Sequence, residues 1–412
     1  MDDLQHIAES LALRIGRSVA IDDPQMQLKA HTAHDEPVDS FRLESIMRRR
    51  AKPQSRLTEF AKEFGITTAE HPVHVPANAK LGSFARICVP IRCQNILFGY
   101  LWLMDSEPPI PESDLMTAMD AARSAGEAMM RERLLDDVRR AQESKLLQDL
   151  LNRDAAVRAH AAGRWRADRD LPAKMKVIVV STVVSGSDLR GNEMAIDLLL
   201  QRTQRRLAPR ATLATTTGGA HGTLLIADVR LPDRAQLAEY AETMRQELLH
   251  ELGDSATVQI AVGPVRAGLE TAFESNECAR DALRVAQAVP ASDPVIFWDE
   301  LGIYGLLVQL PLETLRAEVI PAGLRRLIDA DTGRSLVPTL ECYLDLAGDA
   351  AGSAERLTIH RTSLYYRLRR AETITGMSLR NGSDRLALHL GIKLSRLIGL
   401  LTDEPAEPVP ER

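Results

Sequence analysis

The spacing of apolar and polar residues changes period several times along the chain, and each change predicts an element. The sharpest pattern lies near the C-terminus. Leu364, Leu368 and Ala371 recur at i, i+4 and i+7, which places them on one stripe of a helix. A shorter Ala/Leu-periodic segment before it packs with Ala350 or Ala351, Ala354 and Leu357, and Asp349 stands where a side chain caps free N–H groups. The turn Thr358-Ile359-His360 separates the two segments. A further helix from about Ser335 to Leu346 contributes Leu336, Leu340, Tyr343 and Leu344, with Pro338 near its start, where a missing N–H is harmless. Three such helices close a small core.

The front of the chain mixes periods. A helix near Leu4 to Ile15 precedes short strands around Val19 to Ile21 and Gln27 to His31. Two β-rich runs, Ala85 to Ile91 and Ile96 to Met104, flank Gln94-Asn95 and predict a hairpin. Pro108-Pro109-Ile110-Pro111 marks a boundary. Glu112 to about Leu151 then reads as one long helix without internal proline, opened by Glu112 and Asp114, with Ser113 as its cap. Leu115, Met119, Ala122, Gly126 and Met129 keep a 4-3-4-3 rhythm that Leu134, Val138 and Ala141 resume after a slip. That rhythm suits a dimerising helix, or a long helix folded against its own domain. From Met175 a second mixed region follows in the order β-α-β-β-α-β-α-β. Its strands are Met175 to Val184, Ala211 to Thr217, Thr223 to Val229, Thr257 to Gly263 and Val295 to Trp298. Its helices are Asn192 to Leu207, Asp233 to Glu251 and Leu269 to Ala288.

Composition narrows the class. The chain has 412 residues, 45% of them hydrophobic and 26% charged, which are ordinary globular values with room for two or three domains. The formal net charge is -6, yet residues 335–401 carry nine Arg and Lys against six Asp and Glu, a local +3. Positive charge is therefore concentrated in the C-terminal helices. A margin of +3 is small for neutralising phosphates, so a reader of DNA built on this segment is expected to work as two copies on one site. Cys88, Cys93, Cys278 and Cys342 lack the spacing of a zinc site and are expected as reduced thiols. His31, His34, His71 and His74 have no Asp or Cys at recognisable ligand spacing, so they are read as surface or loop residues and no metal or cofactor is implied. The N-terminus lacks a basic region followed by an apolar run, and no segment reaches the apolar length of a membrane span. A cytoplasmic protein with no membrane partner is the expectation. The tail, residues 403–412, is Pro- and Glu-rich and reads as disordered.

The chemistry of the second C-terminal helix decides the leading hypothesis. Opposite its apolar stripe lie Thr362, Tyr366 and Arg369, with Ser363 and Arg370 beside them and Arg361 and Arg367 on the flanks. Arg pairs bidentately with guanine, Ser and Thr serve any base edge, and Tyr or a flanking Arg suits the phosphate backbone. Short helix, tight turn and polar second helix make a helix-turn-helix whose second helix enters a DNA groove. The run IHRTSLYYRLRRAETITG, followed by SLRNGSDRLALHLGIKLSRL, resembles the C-terminal domain of PucR-type transcription regulators, close to CdaR-type sugar diacid regulators. His360, Arg361, Leu364, Tyr366, Arg367 and Leu368 match that pattern. Thr362 replaces the usual Asn on the presumed reading face, so operator preference does not carry over.

The resemblance extends forward. The hairpin at residues 85–107 is similar to the last hairpin of GAF domains, which hold small molecules between their sheet and the helices and loops over it; Arg86 and residues 60–81 are the region to inspect. The middle region resembles a degenerate nucleotide-cyclase (GGDEF-like) domain. Gly218-Gly219 are present, but Ala220-His221-Gly222 stand where that chemistry needs acidic residues, and Asp188 is the one nearby carboxylate. One carboxylate does not build a two-metal site, so no enzymatic activity is expected.

The sequence thus predicts a multidomain α+β protein. It would consist of a GAF-like sensor (1–110), a signalling and dimerisation helix (111–152), a degenerate cyclase-like α/β domain (170–310) and an all-α helix-turn-helix domain (330–402). The expected function is sequence-specific DNA binding by a homodimer that responds to a small-molecule effector. A nucleotide-sensing or nucleotide-processing protein acting through the middle domain is the alternative.

Overall fold

In a computed structural model of the chain, residues 2–32, 64–77, 84–105, 108–186, 189–207, 211–253, 255–289, 293–311, 319–331 and 335–401 are described. His34, Asp188 and the tail from residue 403 lie outside them. The chain divides into two compact units, Met1–Ala141 and Gln142–Arg412.

The first unit is built on five strands. After helix α1 (Asp2–Ile15) come β1 (Val19–Asp22), β2 (Leu28–His31), β3 (Val73–Val75), β4 (Arg86–Cys93) and β5 (Ile96–Met104), in the order β2-β1-β5-β4-β3 with every pair antiparallel. The turn between β4 and β5 puts Gln94 and Asn95 at φ 49° and 67°, the double positive φ of a tight hairpin turn. Strand alternation then sorts the faces. Val19, Ile21, Ile87, Val89, Ile91, Leu101 and Leu103 pack against Leu4, Ala8 and Leu11 of α1 and against Ala118, Ala122 and Ala125 of α2 (Glu112–Leu150). Ala20, Val75, Cys88, Tyr100 and Trp102 point to the opposite face and pack with Ile66.

Helix α2 is continuous over 39 residues. Its small residues serve the first unit, and Leu146, Leu147 and Leu150 enter a core of the second. Between these two stretches, Leu134, Leu135 and Val138 are exposed.

The second unit opens with α3 (Ala155–Asp168), capped by Asp154, and a sheet of β6 (Lys176–Ser185), β7 (Ala211–Thr217), β8 (His221–Asp228), β9 (Thr257–Val262), β10 (Arg266–Ala267) and β11 (Val295–Phe297). The order is β11-β9-β6-β8-β7, with β10 on β6; β11 runs parallel to β9 and the other pairs are antiparallel. Helices α4 (Leu189–Leu207) and α5 (Arg234–Leu252) cover one face, where Ile178, Val180 and Val184 point. Helices α3 and α6 (Ala272–Ala288) cover the other, where Val177, Val179 and Val183 point. Burial of β6 on both faces is the physical reason its sequence is an unbroken apolar run rather than an alternating one. The helix expected from Leu269 instead begins with a 3-10 turn at Leu269–Thr271, where the Thr271 hydroxyl donates to the Gly268 carbonyl at 2.8 Å. The two-residue strand β10 is too short to leave a periodic signal.

A short helix α7 (Ile303–Leu307) leads to the C-terminal helices α8 (Ala322–Ala330), α9 (Leu336–Asp345), α10 (Ala350–Arg356), α11 (Arg361–Thr375) and α12 (Gly382–Leu397). Leu336, Leu340, Leu344, Ala354, Leu364, Leu368, Ala371, Leu388 and Ile392 fill one core, which α8 closes with Leu324 and Leu327. At Gly323 the α8 backbone comes so near α11 that an added Cβ would sit 2.2 Å from the Thr375 carbonyl oxygen. Leu397 of α12 packs with Val183, Ala282 and Val308, and the Lys393 ammonium lies 5.7 Å from the centre of the Tyr304 ring.

Candidate nucleic-acid interface

The two-helix unit is held by its turns. Asp349 Oδ1 accepts from the Ala351 N–H at 2.9 Å, so the capping expected from sequence is present. Helix α10 ends with Ile359 N–H donating to Ala354 O and Thr358 N–H donating to Glu355 O, both at 3.0 Å. This is the paired-bond Schellman ending, which puts its turning residue in the left-handed region. Glycine is usual there, but Thr358 holds φ 55°, a costly conformation for a β-branched side chain. His360 then starts α11: its Nδ1 accepts from the Thr362 N–H at 3.3 Å and lies 3.0 Å from the Thr362 hydroxyl. That assignment leaves the His360 proton on Nε2.

Helix α11 is amphipathic in the way its sequence requires. Leu364, Leu368 and Ala371 are buried, whereas Arg361, Thr362, Ser363, Tyr366, Arg369 and Arg370 are exposed. Six of the seven residues read from sequence as DNA contacts therefore share one accessible face. Arg367 stands apart. It is half-buried and its Nη1 donates to Thr339 Oγ1 of α9 at 3.2 Å, which ties its stem to the domain core. Tyr365, absent from the sequence-derived set, is 52% exposed, against 64% for Tyr366, and widens the face between Arg361 and Arg369. Its flank position on the helical wheel was the available signal.

A groove of about 600 Å³ runs beside this face, lined by Asp331, Ser335, Thr362, Tyr366, Arg367 and Arg370 among others. Asp331 is buried and explains the start of α9: Oδ1 accepts from Ser335 N–H at 2.9 Å, and Oδ2 accepts from Leu336 and Val337 N–H at 2.8 and 2.9 Å. Ser335, the sequence-adjacent cap position, makes no side-chain capping bond.

Electrostatics in the domain are divided between core and surface. Glu341 Oε2 accepts from Arg396 Nη2 at 2.6 Å, and Glu341 Oε1 accepts from Lys393 Nζ at 2.9 Å. Lys393 also reaches Asp345, which in turn meets His389 Nε2 at 2.7 Å. Burial works against the charge of Asp345, but hydrogen bonds from His389 and Lys393 outweigh it and hold the carboxyl below its usual range. Lys393 is the converse: burial lowers it, and bonds to Asp345 and Glu341 carry it above its usual value. Glu372 and Asp384 accept backbone N–H groups of Leu379 and Ser378 at 2.8 Å each. Most acids of the domain are thus consumed in pairs or caps. Arg361, Arg369 and Arg370 have no ion pair among the described residues and present their charge outward. The modest net charge understates the positive face.

Elsewhere, chemistry is sparse. No group of three or more His, Cys, Asp or Glu side chains suited to a metal occurs among the described residues. His74 pairs loosely with Asp105 at 3.6 Å, and Cys88 is buried, which pushes its thiol far above the usual range. Gly218 and Gly219 turn the β7-β8 hairpin at φ 63° and 72°. Burial and nearby Arg280 lower the affinity of His221 for a proton. No helix of the described residues is long and apolar enough to cross a membrane.

Comparison with known proteins places these observations. Residues 336–394 match the PucR C-terminal helix-turn-helix domain. The DNA-binding transcriptional activator AdeR of Bacillus subtilis (strain 168) is 21% identical over 406 residues, 96% of this chain and 94% of that one. The proline-responsive transcriptional activator PutR of the same organism is 19% identical over 342 residues, 80% of each chain. Its purine catabolism regulatory protein is 29% identical over 121 residues, 29% of this chain and 23% of that one. With α9 to α12 forming the matched segment, the C-terminal part of this chain is a PucR-type helix-turn-helix domain.

Proposed function

We propose that this protein is a sequence-specific DNA-binding transcription regulator whose reading element is α11 and whose activity answers to a small molecule held by the first unit. The observation that carries the reading is the single exposed face of Arg361, Thr362, Ser363, Tyr366, Arg369 and Arg370, backed by a buried Leu364-Leu368-Ala371 stripe. Base edges are assigned to Thr362, Arg369 and Arg370; phosphates to Arg361, Ser363, Tyr366 and Arg367. A reader with so few exposed cations gains affinity by pairing. The exposed Leu134, Leu135 and Val138 of α2 support a second copy of the chain as partner, with residues 111–152 as the pairing helix. Regulation then consists of changing how two copies of α11 are spaced on a two-fold site. No enzymatic step is assigned: the middle sheet resembles a nucleotide-cyclase scaffold in element order, but its hairpin carries Ala220-His221 in place of acids.

The test is a mobility-shift titration on the DNA flanking its own gene, run with an unrelated duplex at physiological salt. Preference for the former supports the reading; equal affinity for both ends it. Replacing Arg369 by Ala is expected to cost about 1 to 3 kcal/mol at the preferred site and little elsewhere.

A further inference from the structure

Asp331 does the capping that Ser335 is placed to do, and the serine is left with a hydroxyl to use elsewhere. The Asp331 carboxylate accepts from the N–H groups of Ser335, Leu336 and Val337, so those donors are already paired. The Ser335 hydroxyl makes no capping bond and no other hydrogen bond among the described residues. Ser335 lines the groove of about 600 Å³ that runs between the start of α9 and α11. The facing wall is one stripe of α11. Ser363, Tyr366, Arg367 and Arg370 recur at i, i+3, i+4 and i+7 and all line the groove, whereas Arg369, a part-turn around the helix, does not.

The lining specifies the chemistry. The side chains of Ser363, Tyr366 and Arg370 have no hydrogen-bond or ion-pair partner among the described residues. Arg367 is held at the groove by one nitrogen, Nη1, on Thr339 Oγ1 at 3.2 Å, and its other N–H groups are unpaired among the described residues. Asp331 is the one carboxylate on the lining, and it is buried with both oxygens accepting N–H groups. Both walls therefore offer hydroxyl and guanidinium donors, and neither offers an uncommitted carboxylate. A base edge presents donors as well as acceptors, but a phosphodiester chain presents acceptor oxygens and negative charge at regular intervals. We propose that the backbone of one DNA strand lies in this groove, held by Ser335 from the α9 side and by Ser363, Tyr366 and Arg367 from α11, so that Ser335 is a DNA contact outside the helix-turn-helix pair. It rests on the reading of α11 as the DNA-reading helix and adds the flank along which the backbone runs. Bases are then met on the side of Thr362 and Arg369, with Arg370 at the boundary.

The experiment uses the full chain, with the duplex it prefers in a mobility shift and an unrelated duplex beside it. Ser335→Ala, its fold checked by circular dichroism, is expected to bind both about tenfold more weakly, the loss of one hydrogen bond to a charged oxygen. Serine carries no charge, so the dependence of affinity on salt should keep its slope, whereas Arg367→Ala should lower that slope by about 1. Ser383→Ala, at the start of α12 and outside the groove lining, should bind as the unaltered protein does. A neutral methylphosphonate is then moved one position at a time along each strand of the preferred duplex. At the phosphate held by Ser335 the unaltered protein should lose affinity several-fold and Ser335→Ala markedly less. The proposal is overturned by Ser335→Ala binding like the unaltered protein, by a loss confined to the preferred duplex, or by an equal loss in Ser383→Ala. A scan in which variant and unaltered protein respond alike at every position overturns it too. If the unaltered protein binds no duplex, the DNA-binding reading fails as well; if it binds and Ser335→Ala changes nothing, that reading stands and this one falls alone.

Discussion

Glu341→Gln should destabilise the C-terminal domain far more than a single surface charge would. Glu341, Lys393 and Arg396 are 8%, 9% and 9% exposed, and the one carboxylate accepts from Lys393 Nζ and, through both oxygens, from Arg396 Nε and Nη2. The amide keeps the volume but carries no charge and turns an NH2 toward those donors, which removes the carboxylate that Lys393 and Arg396 share. Removing one partner of a buried pair costs about 3 to 5 kcal/mol, a large share of a domain stability of about 5 to 15 kcal/mol. Hydrogen exchange resolved to residues 336–345 and 382–397 measures the local opening free energy, which avoids treating a multidomain chain as two-state. The triple replacement of Glu341, Lys393 and Arg396 by Met should recover most of the loss, since the original cost comes from stranded charge and not from lost packing. A drop below about 1 kcal/mol in Glu341→Gln would refute the claim that this cluster is desolvated in the folded protein.

Three further outcomes are expected. Thr358→Gly should stabilise the helix-turn-helix by about 0.5 to 1 kcal/mol, because relief of the left-handed strain exceeds the added chain entropy of glycine; a melting midpoint that falls would contradict this. Gly323→Ala should cost about 1 to 3 kcal/mol or more, because the new Cβ meets the Thr375 carbonyl and pushes α8 off α11, and exchange protection at residues 322–330 reads it. The Asp345–Lys393 contact should weaken at both pH extremes. Asp345 has a depressed folded value, so its contribution is present above the ordinary 3.8 and is lost as pH falls through the lower folded value. Lys393 has a raised one, so its contribution is present below the ordinary 10.5 and is lost as pH rises through the higher folded value; a pH-stability profile of Asp345→Asn should flatten at both ends.

What the sequence discloses follows from how locally each feature is encoded. The α11 stripe, the Asp349 cap and the β4-β5 hairpin rest on neighbours within four or five residues, and the observed elements follow them closely. Arg367 does not read the same way: its partner Thr339 is 28 residues away, so no local pattern reveals that its guanidinium is held by α9. Asp331 is similar. It stands in for Ser335 as the cap of α9 from outside the helix, across a connection that spacing rules do not cover. Helix α8 does leave a local signature, since Leu324, Leu327 and Ile328 fall at i, i+3 and i+4 on one face, but the backbone approach at Gly323 that seats it on α11 is not encoded in that spacing. The alignment of His31, Ala20, Trp102 and Cys88 side by side across β2, β1, β5 and β4 is the extreme case, because it exists only once four strands are in register.

The packing of α12 against the middle sheet changes what the rest of the second unit is for. With Leu397 seated beside Val183, Ala282 and Val308, and Tyr304 over Lys393, α12 bolts the helix-turn-helix to the middle domain in place of a tether. A tethered reader would search a volume of orientations and lose any small rotation of its carrier. A bolted one reports that rotation directly, so under the proposed function a few degrees at β6 would become a displaced footprint on the duplex, and the middle domain would serve as a lever arm.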